Sequence, residues 1–175
     1  MDAKPLPNAP LGIPLLPKEM SRPEIDQFLT CARVGRIGLA LREGPYIVPV
    51  GYGYAEGKIF FHTCREGLKI EAIRTDPKVC FEVDEYTSDV SLAKSVIILG
   101  RAELIQDNAK KIPYLEKLID KYRVPVTFGQ YMARRPDRNA QDELQTVMIC
   151  LITPYMITAQ KFVRTTASFG HCYDA

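Results

Sequence analysis

The sequence is short of several things: excess charge of one sign, paired cysteine motifs, long apolar runs and a glycine-rich nucleotide fingerprint. Each shortage removes a class of function. Lys plus Arg number 23 against 21 Asp plus Glu, a formal +2. Duplex DNA binding needs a basic stripe that such a balance does not supply, so nucleic acid is not expected as a partner. The longest near-apolar stretch, Val147 to Ile152, stops at Thr153-Pro154, well short of the roughly 20 residues that cross a bilayer. Leu15 and Leu16 sit among prolines and do not form the continuous apolar segment of a secretory signal. Neither a membrane span nor export is expected. Cys31, Cys64, Cys80, Cys150 and Cys172 are odd in number, widely spaced and without a Cys-x-x-Cys pair. That argues against a disulfide framework and a structural zinc site, and for a reducing, cytoplasmic setting. With no Gly-x-Gly-x-x-Gly, a Rossmann domain is not expected either.

What is present is an ordinary globular composition: 175 residues, 46% hydrophobic and 25% charged, enough for one cored domain and incompatible with wholesale disorder. Prolines at 5, 7, 10, 14 and 17 exclude a helix or central strand there, so the reading is an arm over 1–19, a folded domain over 20–163 and a tail over 164–175. Ser21, three residues before Glu24, makes a capping box, and Ile25, Phe28, Leu29 and Ala32 recur at helical spacing until Gly35. Ile37, Leu39 and Leu41 then alternate as in a strand, up to the turn Arg42-Glu43-Gly44-Pro45. Tyr46 to Tyr54 reads as one strand, joined by Glu56-Gly57 to a second over Lys58 to His62. Arg65 to Arg74 is rich in helix formers and closed by Asp76-Pro77. Further strands are expected over Val79 to Val83, Val96 to Leu104 and Gln145 to Ile152. Between them Ile112, Leu115, Leu118, Ile119 and Tyr122 mark an amphipathic helix capped by Asp107 or Asn108, and Arg123 to Asp142 reads as a long polar loop. The expected fold is a small, mainly antiparallel β-barrel with peripheral helices.

Two segments are candidates for chemistry. Tyr46 to Tyr54 is odd for a strand, because Pro49 lacks an N–H while Gly51 and Gly53 weaken a ladder. A planar ring lying against exposed backbone accounts for all three; so does a bulged edge strand bent for barrel closure. The second segment, Thr63-Cys64-Arg65-Glu66-Gly67-Leu68-Lys69, joins a strand to a helix start. Free N–H groups, a hydroxyl and two cations within one turn suit a phosphate monoester, whose oxygens want donors and whose charge wants a cation. A solvated basic helix start explains the same residues without a ligand. Side by side, the two segments suit a flavin mononucleotide (FMN).

The run Val34-Gly35-Arg36-Ile37-Gly38-Leu39-Ala40, Pro45-Tyr46-Ile47-Val48-Pro49-Val50-Gly51-Tyr52, Gly57-Lys58-Ile59-Phe60-Phe61-His62 and Asp76-Pro77-Lys78-Val79-Cys80-Phe81 resembles the pyridoxamine 5'-phosphate oxidase-related flavin-binding split barrels. Within them it is most similar to the 5-nitroimidazole-resistance (Nim-type) proteins. The resemblance implies a six-stranded antiparallel split β-barrel that pairs as a homodimer, with FMN at the subunit interface. It places the backbone of Val48, Pro49 and Val50 along the flavin ring, and His62 and Thr63 where ring and ribityl chain pass. Gly67, Leu68 and Lys69 fall at the phosphate, and Ser95 at a polar position reaching the ring. His62 also matches the Nim-type histidine beside the flavin, a candidate proton donor. True pyridoxamine phosphate oxidases carry a basic residue before the flavin strand, a Ser-Arg-Lys run and a carboxy-terminal arginine motif. This chain has Tyr46, Gly67-Leu68-Lys69 and the ending Phe169-Gly170-His171-Cys172-Tyr173, so pyridoxamine phosphate is not the expected substrate.

The implied activity is an FMN-dependent oxidoreductase passing electrons from NAD(P)H to a small electron-poor acceptor such as a nitro compound. The alternative is a split barrel that holds flavin or haem for storage or sensing without turnover. His171 in the tail favours haem, and Lys69 with Thr63 favours a phosphate-bearing cofactor. Arg134, Arg135 and Arg138 are candidates for an anionic substrate or a partner subunit, though a solvated loop explains them equally.

Overall fold

The computed structural model describes residues 16–88, 91–125, 127, 129, 130 and 144–163. Arg134, Arg135, Arg138, His171, Cys172 and Tyr173 lie outside the described residues. The elements in chain order are β1 (Leu16–Glu19), α1 (Arg22–Cys31), β2 (Val34–Leu41), β3 (Gly44–Gly51), β4 (Gly53–Ala55), β5 (Lys58–Cys64), α2 (Leu68–Thr75), β6 (Lys78–Tyr86), β7 (Leu92–Ile105), α3 (Asn108–Lys121) and β8 (Val147–Val163). The strands form one antiparallel sheet in the order β3-β2-β6-β7-β8-β5-β4, with β1 added on β8. The two ends of that order, β3 and β4, are consecutive in the chain and separated only by Tyr52. The sheet therefore closes on itself as a mainly β split barrel.

Among the described residues eight strands stand where six are expected, for two reasons. Tyr46 to Tyr54 divides at Tyr52 into β3 and β4. Leu16–Glu19, at the end of the proline-rich arm, pairs with Gln160 to Val163 of β8, where Pro17 is tolerated because the strand is an edge. Strand β8 also runs beyond Ile152, through Pro154 to Val163. The proline is accommodated at a bulge: Leu99 pairs with Met156 and Gly100 with Pro154, leaving one extra residue on β8. Gln145 and Thr146, expected as strand, are helical.

Alternation puts Ile37, Leu39, Phe81, Val83, Val96 and Ile98 into the barrel core. A second cluster, Phe60, Ile105, Leu118, Ile149 and Leu151, lies where α3 packs on β5 and β8. Helix α2 adds Ala72 and Ile73 to the barrel core and stops before Pro77, as its sequence dictates. Helix α1 begins at the expected capping box: the Glu24 carboxylate accepts from the Ser21 N–H at 2.8 Å and its hydroxyl at 2.9 Å. It ends at Cys31, earlier than Gly35 suggests. Gly35 lies instead in β2, where a Cβ would come within 2.4 Å of the Phe81 ring. Asp107 caps α3 by accepting from the Lys110 N–H at 3.0 Å.

Candidate functional site at the barrel split

The split opens at Tyr52. β4 pairs with β5 as Ala55↔Lys58, Tyr54↔Ile59 and Gly53↔Phe60, and the ladder goes no further. β3 pairs instead with β2, from Val34↔Gly51 to Leu41↔Gly44. Continuing the β4–β5 register would set Gly51 level with His62 and Val50 level with Thr63. Two unpaired edges therefore diverge here: β3 on one bank, with Val48, Pro49 and Val50, and the end of β5 on the other, with His62 and Thr63. On its far side β5 remains paired to β8, His62 with Ile149 and Thr63 with Met148.

Helix α2 starts immediately after this end of β5. Its N-cap is Gly67 at φ +114°, with no side-chain cap and nothing within 4 Å of where a Cβ would stand. Glycine is needed for that conformation, and its choice leaves the first turn of α2 without a side-chain acceptor. The Lys69 side chain folds back so that Nζ lies 5.3 Å from the centroid of the Phe61 ring. Among the described residues its ammonium has no hydrogen-bond acceptor or carboxylate partner, and burial depresses its pKa. Thr63 is 6% exposed on the inward face it shares with Ile59 and Phe61. Its hydroxyl has no hydrogen-bond partner among the described residues. A buried hydroxyl left unbonded is costly unless a ligand or water satisfies it. His62 points to the opposite face and is exposed. Packing around the ring first, and the charge of Lys69 second, hold its pKa below the ordinary histidine value. The Arg65 guanidinium is turned aside to Gln106 Oε1 at 3.1 Å.

The fold thus brings Val48, Pro49, Val50, His62, Thr63, Gly67, Leu68 and Lys69 to the two banks of one split. It does not bring Ser95 there. Ser95 pairs with Asp84 and Gln160 on the outer face of β7, with β2 and β6 between it and β3. Two glycines also need another explanation than ligand clearance. A Cβ on Gly51 would come within 2.9 Å of the Tyr122 hydroxyl, and one on Gly53 within 2.2 Å of the Phe60 ring. Those backbone faces are covered by the protein's own side chains, so closure of the barrel explains both glycines. Tyr122, legible in sequence only as a helix-face aromatic, is a member of this region that sequence reasoning missed. Its hydroxyl reaches the backbone of Tyr52, a contact no periodicity encodes. Two surface depressions, along Glu116 to Gln130 and around Lys58 and Tyr155, include none of the expected site residues. Among the described residues no three His, Cys, Asp or Glu side chains are grouped to hold a metal ion, and no helix is long and apolar enough to cross a membrane.

Comparisons with known proteins agree with this architecture. The chain is 30% identical over 82 residues to the uncharacterized protein RA0666 of Rhizobium meliloti (strain 1021), a match covering 47% of this chain. The chain spans about half the length of that relative, 53%. Among solved structures, an FAD-binding protein from Mesorhizobium loti (mll6688) superposes with a TM-score of 0.66 at 23% identity, covering 86% of this chain and 100% of the other. A candidate 5-nitroimidazole antibiotic resistance protein from Bacteroides thetaiotaomicron gives 0.68 at 20%, covering 85% and 89%. The flavocytochrome Anf3 from Azotobacter vinelandii gives 0.65 at 20%, covering 89% and 72%. At these identities the structural likeness is one of fold. The sequence pattern of one family, described as pyridoxamine 5'-phosphate oxidase, matches residues 21–161, nearly the whole of the described barrel, and the chain belongs to that family.

Proposed function

We propose that the chain is a flavin-binding oxidoreductase that takes FMN in the split. The observation that carries this reading is an unbonded Lys69 ammonium and an orphaned, buried Thr63 hydroxyl beside an uncapped helix start, opposite the free edge of β3. These are the groups a phosphate-bearing planar cofactor needs. The first amides of α2, with Gly67 and Leu68 giving close backbone approach, and the Lys69 ammonium would hold the phosphate. Thr63 would bond the chain between phosphate and ring, and the backbone of Val48, Pro49 and Val50 would face the ring. When bound, the flavin supplies the electron-transfer chemistry that no side chain of this protein can, between a reduced nicotinamide and a small electron-poor acceptor such as a nitro compound.

The chain's own residues set the conditions. Packing around the His62 ring and the charge of Lys69 favour its neutral form. An anion seated on Lys69 would cancel part of that repulsion and raise the imidazole pKa, so that more of the imidazole carries the proton it would donate. A second copy of the chain is proposed to complete the cleft. In support, Val34, Ile47 and Ile97 are 52%, 64% and 41% exposed on the outer face that also carries Pro49 and Ser95. Exposed apolar residues around the ion pair of Arg36 and Glu82 give that face the mixed composition of a subunit contact. Ser95 would then serve the partner's cleft. The setting proposed is the cytoplasm.

The absorption spectrum of the purified chain is the first test. Paired flavin bands support the reading, and a Soret band or a deazaflavin spectrum replaces the cofactor. Anaerobic bleaching by NADH or NADPH followed by reoxidation with a nitroimidazole tests turnover. A bound flavin that neither donor reduces counts against an enzyme using them.

A further inference from the structure

Among the described residues Lys111 of α3 is the only charged residue that is buried, 1% exposed, and the flavin reading gives it no use. No carboxylate among them receives its ammonium. Nζ donates to the Val147 carbonyl oxygen at 3.0 Å and to the Leu144 carbonyl oxygen. Burial first, and then Arg65, disfavour its charge, while Asp107 favours it. A buried charge is costly unless its bonds repay it, so the place of those two carbonyls in the fold decides what the lysine does.

Both carbonyls belong to a junction whose backbone has run out of partners. Residues 144–146 are helical and give way to β8 at Val147, so the Leu144 carbonyl meets no helical N–H four residues on. The direction of the Val147 carbonyl follows from strand alternation. The two-residue turn Glu56-Gly57 makes Ala55↔Lys58 a hydrogen-bonded pair. Along β5 the backbone groups then face β4 and β8 in turn, with Ile59, Phe61 and Thr63 facing β8, so Thr63↔Met148 is hydrogen-bonded and Cys64↔Val147 is not. The backbone of Val147 therefore faces its other neighbour, β7. That strand makes its last pair at Ile105↔Ile149, and the chain turns at Asp107 into α3. Lys111, one turn into the helix, supplies the donor that the departing strand does not.

The same alternation turns the Cys64 backbone toward the split, which leaves Thr63↔Met148 as the last hydrogen-bonded pair holding β5 to β8 before Gly67 opens α2. We infer that Lys111 is a positioning residue for the phosphate end of the proposed flavin site: by fixing the start of β8 it fixes Met148, and through Met148 the end of β5 that presents Thr63 and leads into α2. This rests on the flavin reading for its function but not for its mechanics. Without the ammonium the two carbonyls lose their donor, and water reaches them only if the start of β8 lifts from α3. Such fraying meets Thr63↔Met148 before any other hydrogen-bonded pair of the β5–β8 ladder.

The test uses the full chain with Lys111→Met, which keeps the apolar length and removes the donors. Lys111→Gln, with an amide donor on a shorter stem, serves if the methionine variant does not fold. Two quantities are read: amide hydrogen exchange without flavin, and FMN affinity by titration. The expected result is exchange about tenfold faster at the Thr63 and Met148 amides, unchanged exchange at Ile59 and Ile152 four residues along the same ladder, and FMN affinity about tenfold lower. A lysine that only adds global stability speeds exchange equally at both places. One that acts on the phosphate by charge alone lowers FMN affinity and leaves exchange as it was. Either result overturns the proposal, as does slower exchange or an FMN affinity equal to that of the parent chain. A parent chain that binds no FMN refutes the flavin reading, while exchange still decides whether Lys111 holds the start of β8.

Discussion

The starts of α1 and α2 sit on the same barrel and are built in opposite ways. At α1 the charged side chains are paired: Glu24 accepts from the Ser21 amide and hydroxyl and pairs with Lys161 of β8, while Arg22 bonds Asp26 and Tyr54. At α2 the N-cap is a glycine, and among the described residues Lys69 has no anionic partner and the buried Thr63 hydroxyl has no bond. A helix start that is closed by its own chain stabilises the fold. One that is left open at a cost in unsatisfied groups points to a ligand.

The comparison can be broken most sharply at Lys69. Lys69→Ala is expected to weaken FMN by about ten- to a hundredfold, the loss of a charge-assisted contact of roughly 1.5–3 kcal/mol, and to leave riboflavin, which has no phosphate, unaffected in parallel titrations. The same variant removes the smaller of the two causes depressing His62, so its imidazole titration, followed by NMR, should move up. An equal loss for both ligands would dissociate Lys69 from the phosphate. Next in size is Gly67→Ala. The added methyl meets nothing within 4 Å, so its cost is that of forcing φ +114° on an L residue, about 1–3 kcal/mol. It should be read in denaturant titration as well as in FMN affinity.

On the α1 side, Ser21→Ala should cost about 1 kcal/mol of stability with no change in FMN affinity. A change there would mean that the two helix starts are coupled. The smallest expected effect is in acid. The Lys161 ammonium, and then the Ser21 amide and hydroxyl, hold the Glu24 carboxyl down to about 2 from an ordinary 4.5. Its depressed pKa means that the tether contributes fully above pH 4.5 and is lost as pH falls toward 2. Glu24→Gln should flatten that part of the stability–pH curve, measured by thermal melts. At neutral pH it should lower stability by a constant amount without changing the slope of the curve.

Much of the barrel is legible along the chain because its signals are local. Ser21 with Glu24, Asp107 before α3 and Pro77 after α2 act on backbone groups within a few residues, and the alternation of Ile37, Leu39 and Leu41 needs only one apolar face. The segment with Gly51 and Gly53 shows where such reading stops. Two glycines around an aromatic suit a ligand or a tight closure equally, and the choice is made by Tyr122 and Phe60, which arrive from other elements. The extension of β8 past Pro154 is hidden for a similar reason: whether a proline ends a strand depends on whether its partner strand offers a bulge.

For the site, the residue types at the α2 start already pointed to an anion, and the family pattern in Pro45 to His62 pointed to a flavin-type barrel. Sequence alone determined the helix caps, the alternating strands, the glycine at the α2 start and the membership of the family, because each is written in near neighbours or in a linear motif. Only the tertiary structure decided that Lys69 and Thr63 stay unbonded among the described residues, that two strands stand between Ser95 and β3, and that Tyr122 occupies the backbone at Tyr52. Those outcomes depend on which groups from distant segments reach the same few ångströms, and hydrogen-bond satisfaction is a property of that whole neighbourhood.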